Sequence, residues 1–265
     1  MKIIHQENQA LAEGPLWHAG NLYWVDIKAG NLHRLQVSTG RHIIRHFSEQ
    51  LTSISPTTDG GFIVTTRHGI ALLSDFDAEL TSLIGIEDAI PTNRFNDAKV
   101  DPFGKLWAGT MDDAENEATG SLYRIDTHFN VSKEDTNYYI SNGPTFSPEG
   151  TYLYHTDSAQ KKIYRFSLSA NSIRDKKLFI TLDSAHGHPD GMTVDSDGCL
   201  WVCEYGGWGI SKFDPDGEFI SKLDLPVSHV TSCTFGGEKL DSLFITTAAK
   251  GLTPKQLEKQ PLAGG

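Results

Sequence analysis

The sequence predicts an all-β protein folded as a six-bladed β-propeller with a central channel. Six segments share one design, in which a polar residue and a short run precede a turn rich in Gly, Asp or Pro and then a strand with aromatic and β-branched residues. Successive segments begin 39, 44, 46, 48 and 41 residues apart, which is the repeat length of propeller blades with four strands each. Helical periodicity is nearly absent, and a kelch-like array or a β-sandwich fits the even spacing less well. The segments begin at Glu13, Thr52, Asn96, Asn142, Asp190 and Thr231.

The strands follow from composition. Residues 22–25 and 106–108 are runs typical of strands between turn signals. Residues 31–37 and 41–47 supply two further strands of the first repeat. Pro254–Lys259 is the one segment whose composition favours a helix instead of a strand, as a single turn at the surface.

The last repeat supplies only two strands before Gly265. We expect residues 2–6 to close the ring as an outer strand of the sixth blade. Without a further strand, the edge of that blade would be unpaired and exposed. We therefore expect the chain to continue beyond Gly265. Residues 1–265 are therefore expected to form a single propeller domain whose last blade is incomplete at its C-terminal end.

The charge balance limits the classes of partner. The chain has 23 Lys and Arg residues against 34 Asp and Glu residues, a formal net charge of −11, so no basic surface is expected that would bind nucleic acid or an anionic membrane. No apolar run approaches the length of a membrane span, and the N-terminus lacks the apolar core of a signal peptide. The cysteines Cys199, Cys203 and Cys233 are expected to be buried free thiols. We therefore expect a cytoplasmic protein, a monomer or weak homo-oligomer, whose partner is a small molecule.

The six residues that begin the repeats all carry a side-chain oxygen. Equivalent positions of successive blades lie at one radius around a propeller axis, so these side chains are expected to face the axis at one end of the channel. Two threonines there need only satisfy backbone groups. Two carboxylates crowded with two amides are costly to bury unless a cation compensates them. Oxygen donors from Glu13, Asn142 and Asp190 predict one divalent metal ion: Ca²⁺, Mg²⁺ or Mn²⁺ is favoured, and Zn²⁺ or Fe²⁺ stays open. Three protein ligands leave coordination positions for water and substrate, as in a catalytic site.

Other candidate sites are weaker. Residues 186–190, His-Gly-His-Pro-Asp, resemble a ligand run but precede the inner strand on a loop, where histidines are more often solvent-facing. Residues 206–209 are glycine-rich without a Rossmann pattern. The absence of a Gly-x-Ser-x-Gly motif argues against a serine esterase.

The motifs together resemble the regucalcin/gluconolactonase family of sugar lactonases, also called the senescence marker protein-like family. They are Glu-Gly-Pro at 13–15, Arg-Phe-Asn-Asp at 94–97, Gly-Thr-Met at 109–111, Ser-Asn-Gly at 141–143, Pro-Asp-Gly-Met at 189–192 and Ser-Cys-Thr-Phe-Gly-Gly at 232–237, with Pro-Leu-Ala-Gly-Gly at 261–265. Bacterial aldonolactonases look most similar. The resemblance implies a divalent metal held by Glu13, Asn142 and Asp190.

The resemblance also implies that Arg94 and Asn96 contact sugar hydroxyls. A further substrate-contacting glutamate is expected between residues 111 and 120, where Glu115 and Glu117 both qualify and Glu115 is favoured. In an extended segment Arg94 and Asn96 face the same side. The alternative is that Arg94 pairs with a carboxylate such as Asp97.

The expected activity is metal-dependent hydrolysis of an aldonolactone to the aldonic acid, a carboxylic-ester hydrolase reaction. Asp190 is the candidate catalytic residue, because it is a carboxylate able to orient or deprotonate the attacking water. Two alternatives stay open: a non-catalytic propeller that binds metal or sugar, and a phosphotriesterase-like hydrolase. The sequence does not distinguish among individual sugar lactones.

Overall fold

The computed structural model describes residues 1–265 as antiparallel sheets arranged around an axis. Five of the six sheets have four strands in sequential order, and the sixth has two. The first blade contains β1 (Ala12–His18), β2 (Asn21–Asp26), β3 (Asn31–Gln36) and β4 (Arg41–His46), and the second contains β5 (Leu51–Pro56), β6 (Phe62–Thr66), β7 (Gly69–Leu73) and β8 (Thr81–Gly85). The third contains β9 (Asn93–Val100), β10 (Leu106–Asp112), β11 (Gly120–Ile125) and β12 (Val131–Tyr138). The fourth contains β13 (Ser141–Phe146), β14 (Tyr152–Asp157), β15 (Lys162–Ser169) and β16 (Ser172–Thr181), and the fifth contains β17 (His188–Val194), β18 (Leu200–Tyr205), β19 (Gly209–Phe213) and β20 (Phe219–Asp224).

The remaining sheet pairs β21 (Val230–Gly236) with β22 (Ser242–Thr247), and the helix α1 (Pro254–Lys259) follows it. The strands β1, β5, β9, β13, β17 and β21 contact one another in sequence, and β21 contacts β1. These six strands therefore form the closed inner ring of the propeller. The ring brings the starts of the six sequence repeats together.

The predicted propeller class is confirmed, but the predicted number of six blades is wrong. The structure has five four-stranded blades, and a two-stranded sheet occupies the remaining place in the ring. Residues 2–6, expected to form an outer strand, belong to no strand. After β22 the chain turns into α1 because Pro254 stands in its first turn and Thr253 and Gln256 form a capping box. A proline there favours the start of a helix over a third strand.

The two ends of the chain join this region instead of extending its sheet. The Gln9 amide donates to the Gly264 carbonyl at 3.0 Å, and the Thr247 amide donates to the Gly265 carbonyl at 3.0 Å. Beside β22, residues Met1, Ile3 and Ile4 line an apolar groove of about 570 Å³. Backbone hydrogen bonds thus hold both ends of the chain beside β22.

Hydrophobic faces of successive blades pack together and fix the inner strands. Val25 and Leu32 of the first blade share a buried cluster with Ile54, Val64 and Leu73 of the second. Burying one such side chain stabilises a fold by about 1.5–3 kcal/mol. As predicted, all three cysteines are free and buried. None of the helices has the length and apolar character needed to cross a membrane.

Candidate functional site

Each innermost strand carries a β-bulge at its ring residue. Thr52, Asn96 and Thr231 are extra residues without a partner opposite them in the ladder. In the first and fourth blades, the two residues after Glu13 and the two after Asn142 have no partner on the neighbouring strand. In the fifth blade, Asp190 and the residue after it have none. A bulge bends a strand and redirects a side chain. The same local irregularity thus recurs at all six positions around the ring.

Glycines permit two of these bulges. Gly14 has φ +56° and Gly143 has φ +41°, values that side chains rarely adopt. Their amides are used as donors at the site: Gly14 N donates to Glu13 Oε2 and Gly143 N donates to Asp97 Oδ2, both at 3.0 Å. The glycines of the Glu-Gly-Pro and Ser-Asn-Gly motifs therefore allow the left-handed backbone conformation that these two bulges require.

A cavity of about 480 Å³ opens at this end of the ring. All six residues selected from the sequence line it: Glu13, Arg94, Asn96, Glu115, Asn142 and Asp190. The ring threonines do not. Thr52 Oγ1 bonds to Thr65 Oγ1 at 2.7 Å, and Thr231 Oγ1 donates to the Ala12 carbonyl at 2.6 Å. Those two satisfy neighbouring groups, whereas the other four ring positions face the cavity.

Carboxyl groups with little access to solvent are concentrated at and beside the cavity. Desolvation, followed by repulsion from Asp190 and Asp97, raises the pKa of Glu13 well above its ordinary value. Desolvation and then Asp97 likewise raise the pKa of Asp190 well above its ordinary value. Burial also raises the pKa of Asp97 itself, although Lys99 opposes this. Three carboxyl groups thus lie together in surroundings that disfavour their ionised forms.

This arrangement fits a cation. The Arg94 guanidinium lowers the pKa of Glu13, but its effect is outweighed by burial and by repulsion from Asp190 and Asp97. A divalent ion would relieve the repulsion and let both carboxylates ionise. The available donors are carboxylate and amide oxygens, which suit a hard divalent ion.

Asn142 is held in one orientation by a chain of side chains. Its Nδ2 donates to Ser158 Oγ at 3.0 Å, and Ser158 Oγ donates to the Pro189 carbonyl at 2.6 Å. Its Oδ1 accepts from Asn96 Nδ2 at 2.9 Å. Because the amide nitrogen is engaged, Oδ1 is the atom left to act as a metal ligand.

The Arg94 side chain is buried and donates three hydrogen bonds within the protein. Its Nε donates to Asp113 Oδ1 at 2.7 Å, and its Nη1 donates to Asn96 Oδ1 at 2.6 Å and to the Phe95 carbonyl at 3.0 Å. The carboxylate that it contacts is therefore Asp113, not Asp97. Contact with Asn96 agrees with the prediction that the two face the same side. Nη2 makes no hydrogen bond within the protein and is free to donate to a ligand.

Asp113 is a residue that sequence reasoning missed. It accepts hydrogen bonds from Lys28 Nζ at 2.8 Å, from Arg67 Nη1 at 2.8 Å and from Arg94 Nε. Partial burial disfavours ionisation of Asp113, but these three donors hold its pKa well below the usual range. The carboxylate thereby links Arg94, which lines the cavity, to Lys28 and Arg67, which do not.

Glu115 lies at the cavity mouth and Glu117 does not line it. Glu115 has φ +63°, in the turn that follows β10, and its Oε1 accepts from Lys250 Nζ at 2.6 Å. Lys250 comes from the loop after β22, so two distant loops meet at the mouth. Asp112 fixes the turn by accepting from the amides of Asn116 and Glu117 at 3.0 and 3.2 Å.

Four polar residues that were not selected from the sequence also line the cavity: Ser158, His188, Tyr205 and Lys250. His188 Nδ1 donates to the Ser158 carbonyl at 2.8 Å, which leaves Nε2 with a lone pair when the ring is neutral. The Tyr205 hydroxyl donates to the Lys250 carbonyl at 2.8 Å. The His-Gly-His-Pro-Asp run contained a signal for His188. His186 turns away from the cavity and pairs with Glu204 Oε1 at 2.8 Å, so the run does not form a histidine metal site.

Comparison with known proteins gives concordant matches. The family model of the SMP-30/gluconolactonase/LRE-like region matches residues 11–249. A 6-deoxy-6-sulfogluconolactonase from Pseudomonas putida is 32% identical, with 100% of this chain and 92% of the relative covered. A pentonolactonase from Haloferax volcanii is 35% identical, with 90% and 81% covered. The crystal structure of a calcium-binding protein, regucalcin, from Agrobacterium tumefaciens has a TM-score of 0.94 at 26% identity and covers 99% of this chain and 90% of that one.

Proposed function

This chain belongs to the SMP-30/gluconolactonase/LRE-like family, and from that premise we propose that it hydrolyses a sugar lactone to the sugar acid with one divalent metal ion. Its relatives named lactonases are carboxylic-ester hydrolases. The observation that carries the proposal is the cavity in which buried Glu13 and Asp190 stand beside Asn142 and the free Nη2 of Arg94.

The metal would be held by Glu13, Asn142 and Asp190. The neighbour called regucalcin is described as calcium-binding, and the oxygen donors here also suit Mg²⁺, Mn²⁺, Zn²⁺ or Fe²⁺. A divalent ion bound there would polarise the lactone carbonyl as a Lewis acid and make a nearby water more acidic.

Asp190 is the proposed base. Its carboxylate accepts a proton from the attacking water as the water oxygen bonds to the carbonyl carbon. The ring C–O bond then breaks, and the proton passes from Asp190 to the leaving alkoxide. The result is an open-chain acid, with every proton accounted for and Asp190 again ionised.

Arg94 and Asn96 position the substrate. Arg94 Nη2 is free to donate to a lactone oxygen or hydroxyl because Nε and Nη1 are bound to the protein. Asn96 links this guanidinium to Asn142, so substrate position and metal position are coupled. Glu115 at the mouth is proposed to accept from sugar hydroxyls, with Lys250 restraining it.

The test is a panel of freshly dissolved aldonolactones, followed by acid release, with and without a chelator. Hydrolysis faster than the buffer rate, lost with chelator and restored by a divalent ion, is expected. Binding of a lactone without hydrolysis would favour a non-catalytic sugar-binding propeller. Hydrolysis of a phosphotriester with no lactone activity would favour the phosphotriesterase-like alternative. Either outcome would overturn the proposal.

The same proposal places the protein in a reducing compartment such as the cytoplasm. All three cysteines are free and buried, which suits such a compartment. Its partner there is the small sugar lactone, and we propose a monomer or weak homo-oligomer.

A further inference from the structure

Three histidines lie together on the first blade, apart from the cavity. His33 is on β3 and His42 is on β4, and the N-terminal segment, residues 1–9, brings His5 beside them. One ligand atom from each of the three lies within 4.8 Å of the other two. These are the third and fourth strands of the sheet, outward from the strand that carries Glu13. The cluster is therefore distinct from the proposed lactone site.

The cluster contains buried ring nitrogens without hydrogen-bond partners. His33 is fully buried, and its Nε2 has no partner. His5 Nε2 is also buried and lacks a hydrogen bond, although Glu7 Oε2 lies 3.3 Å away. Buried polar atoms are nearly always satisfied in folded proteins. An ion would satisfy His5 Nε2, whereas His33 would bind it through Nδ1, the nitrogen that now lies beside His42.

The positions of the rings suit a shared ion. His33 Nδ1 lies 3.1 Å from His42 Nε2, close to the roughly 3.3 Å that separates two nitrogens bound to one tetrahedral zinc ion. The indole of Trp24 stacks on both rings, with centroids 4.7 and 5.3 Å away and interplanar angles of 14° and 7°.

The rings are also in the right protonation state. Burial, and then the neighbouring imidazoles, lowers the pKa of His33 to about 3. Burial first, and then His5, lowers the pKa of His42 as well. Neutral imidazole is the form that binds metals.

We propose that His5, His33 and His42, with Glu7 as the fourth ligand, form a second metal site for a borderline divalent cation such as Zn²⁺. Three imidazole nitrogens and one carboxylate favour Zn²⁺, Co²⁺ or Ni²⁺ over the hard ions that suit the oxygen donors of the cavity. The ion replaces the hydrogen bond between His33 and His42. It fastens residues 1–9 to the outer strands of the first blade.

The experiment titrates Co²⁺ into metal-stripped protein carrying Glu13→Gln and Asp190→Asn, so that the cavity contributes little binding. One Co²⁺ per chain is expected, with the visible absorption of a four-coordinate nitrogen and oxygen site and without a thiolate charge-transfer band. His5→Ala should weaken binding by at least about tenfold, and His42→Gln by about a hundredfold or more. The matched control is His46→Ala, an exposed histidine on the same strand as His42, which should bind as the parent does.

A second measurement does not depend on that background. In native mass spectrometry the wild-type chain should bind one Zn²⁺ ion more than His42→Gln, whether or not the cavity also holds an ion. Absence of Co²⁺ binding, a thiolate band, or equal binding by the parent, His5→Ala and His42→Gln would overturn the site. None of these results depends on lactone hydrolysis.

Discussion

The side chain of Asn96 donates a hydrogen bond from Nδ2 to Oδ1 of Asn142 across 2.9 Å, deep at the floor of the cavity. The same Asn96 accepts from Arg94 Nη1 through its Oδ1 at 2.6 Å. One amide therefore connects the guanidinium proposed to bind substrate with the oxygen proposed to bind metal. Nδ2 of Asn96 contacts the proposed metal ligand and Oδ1 contacts the proposed substrate-binding residue, so substitutions can test the two roles separately.

Arg94→Ala and Asn96→Ala are expected to lower kcat/KM while the protein keeps its metal. Each removes a donor or its orientation at the substrate, and loss of a hydrogen bond to a charged or polar substrate group corresponds to about 10–100-fold. Steady-state kinetics and metal content measured on the same samples check this. If Asn96→Ala loses its metal outright, Asn96 is a ligand and the assignment of its role to substrate is wrong.

Asp113→Asn is expected to reduce kcat/KM by about 10–100-fold through Arg94, although Asp113 does not line the cavity. The neutral amide cannot hold Lys28, Arg67 and Arg94 together, so the guanidinium loses its fixed orientation. Most of the change should be in KM if Arg94 binds ground state and transition state alike. Metal affinity should stay unchanged.

The control for Asp113 is Glu134→Gln, which removes the acid of the Arg124–Glu134 ion pair, 2.8 Å long, outside the cavity. It should leave both kinetic constants unchanged. A loss of activity equal to that of Asp113→Asn would mean that the effect reflects general destabilisation, and the positioning role would be wrong.

The sequence predicts the ring because repeats impose equivalence. Glu13, Asn142 and Asp190 occupy equivalent positions in their repeats. When the inner strands close into a ring, equivalent positions lie at the same distance from the axis. Contacts made by chain segments outside the repeats have no such signal. Asp113 and Lys250 lie in loops of unequal length, so their approach to Arg94 and Glu115 depends on the folded blades.

The blade count was wrong for a local reason. The repeat spacing alone predicts a sixth blade like the other five. The residues after β22, however, include Thr253, Pro254 and Gln256, which favour a capped helix. The bulges at the ring positions also escaped prediction, because a bulge is visible only in the partner register of two strands. Glycines directly after Glu13, Asn142 and Asp190 were the one indication in the sequence.

Metal-free protein is expected to become less stable as the pH rises. Burial, followed by repulsion among the carboxyl groups, raises the pKa values of Glu13 and Asp190 in the folded state. The folded state then binds more protons than the unfolded chain. This stabilisation is fully present below the unfolded pKa values and is lost as the pH rises through the folded ones. In excess chelator, Tm should fall as the pH rises above the ordinary carboxyl pKa range.

Two controls isolate this effect. Saturating divalent ion should flatten the dependence of Tm on pH, because the cation keeps both carboxylates ionised in the folded state. Glu13→Gln in chelator should flatten it as well, since one titrating group is gone. A Tm that rises over the same range in chelator, with no difference from Glu13→Gln, would show that these groups do not govern the stability.

Asp190→Asn is expected to be the most damaging single substitution at the cavity. Asparagine keeps the shape and one donor oxygen but has no charge and cannot accept the proton of the attacking water. Weakened but detectable metal binding is expected, because Glu13 and Asn142 remain. Activity should fall by about 10²–10⁴-fold, the usual contribution of a general base. Metal affinity from calorimetry and kcat from lactone hydrolysis are the measurements.

The decisive comparison is made at saturating metal, where occupancy no longer limits the rate. If Asp190 acts only by holding the ion, excess metal restores the variant to near the wild-type rate. If it also accepts a proton, kcat stays low at full occupancy, and the acidic limb of the wild-type pH–rate profile is lost from the variant. Glu13→Gln is the matched control, because Glu13 is a buried carboxylate of the same ring for which we propose only a ligand role. Its activity should recover with metal, while that of Asp190→Asn should not.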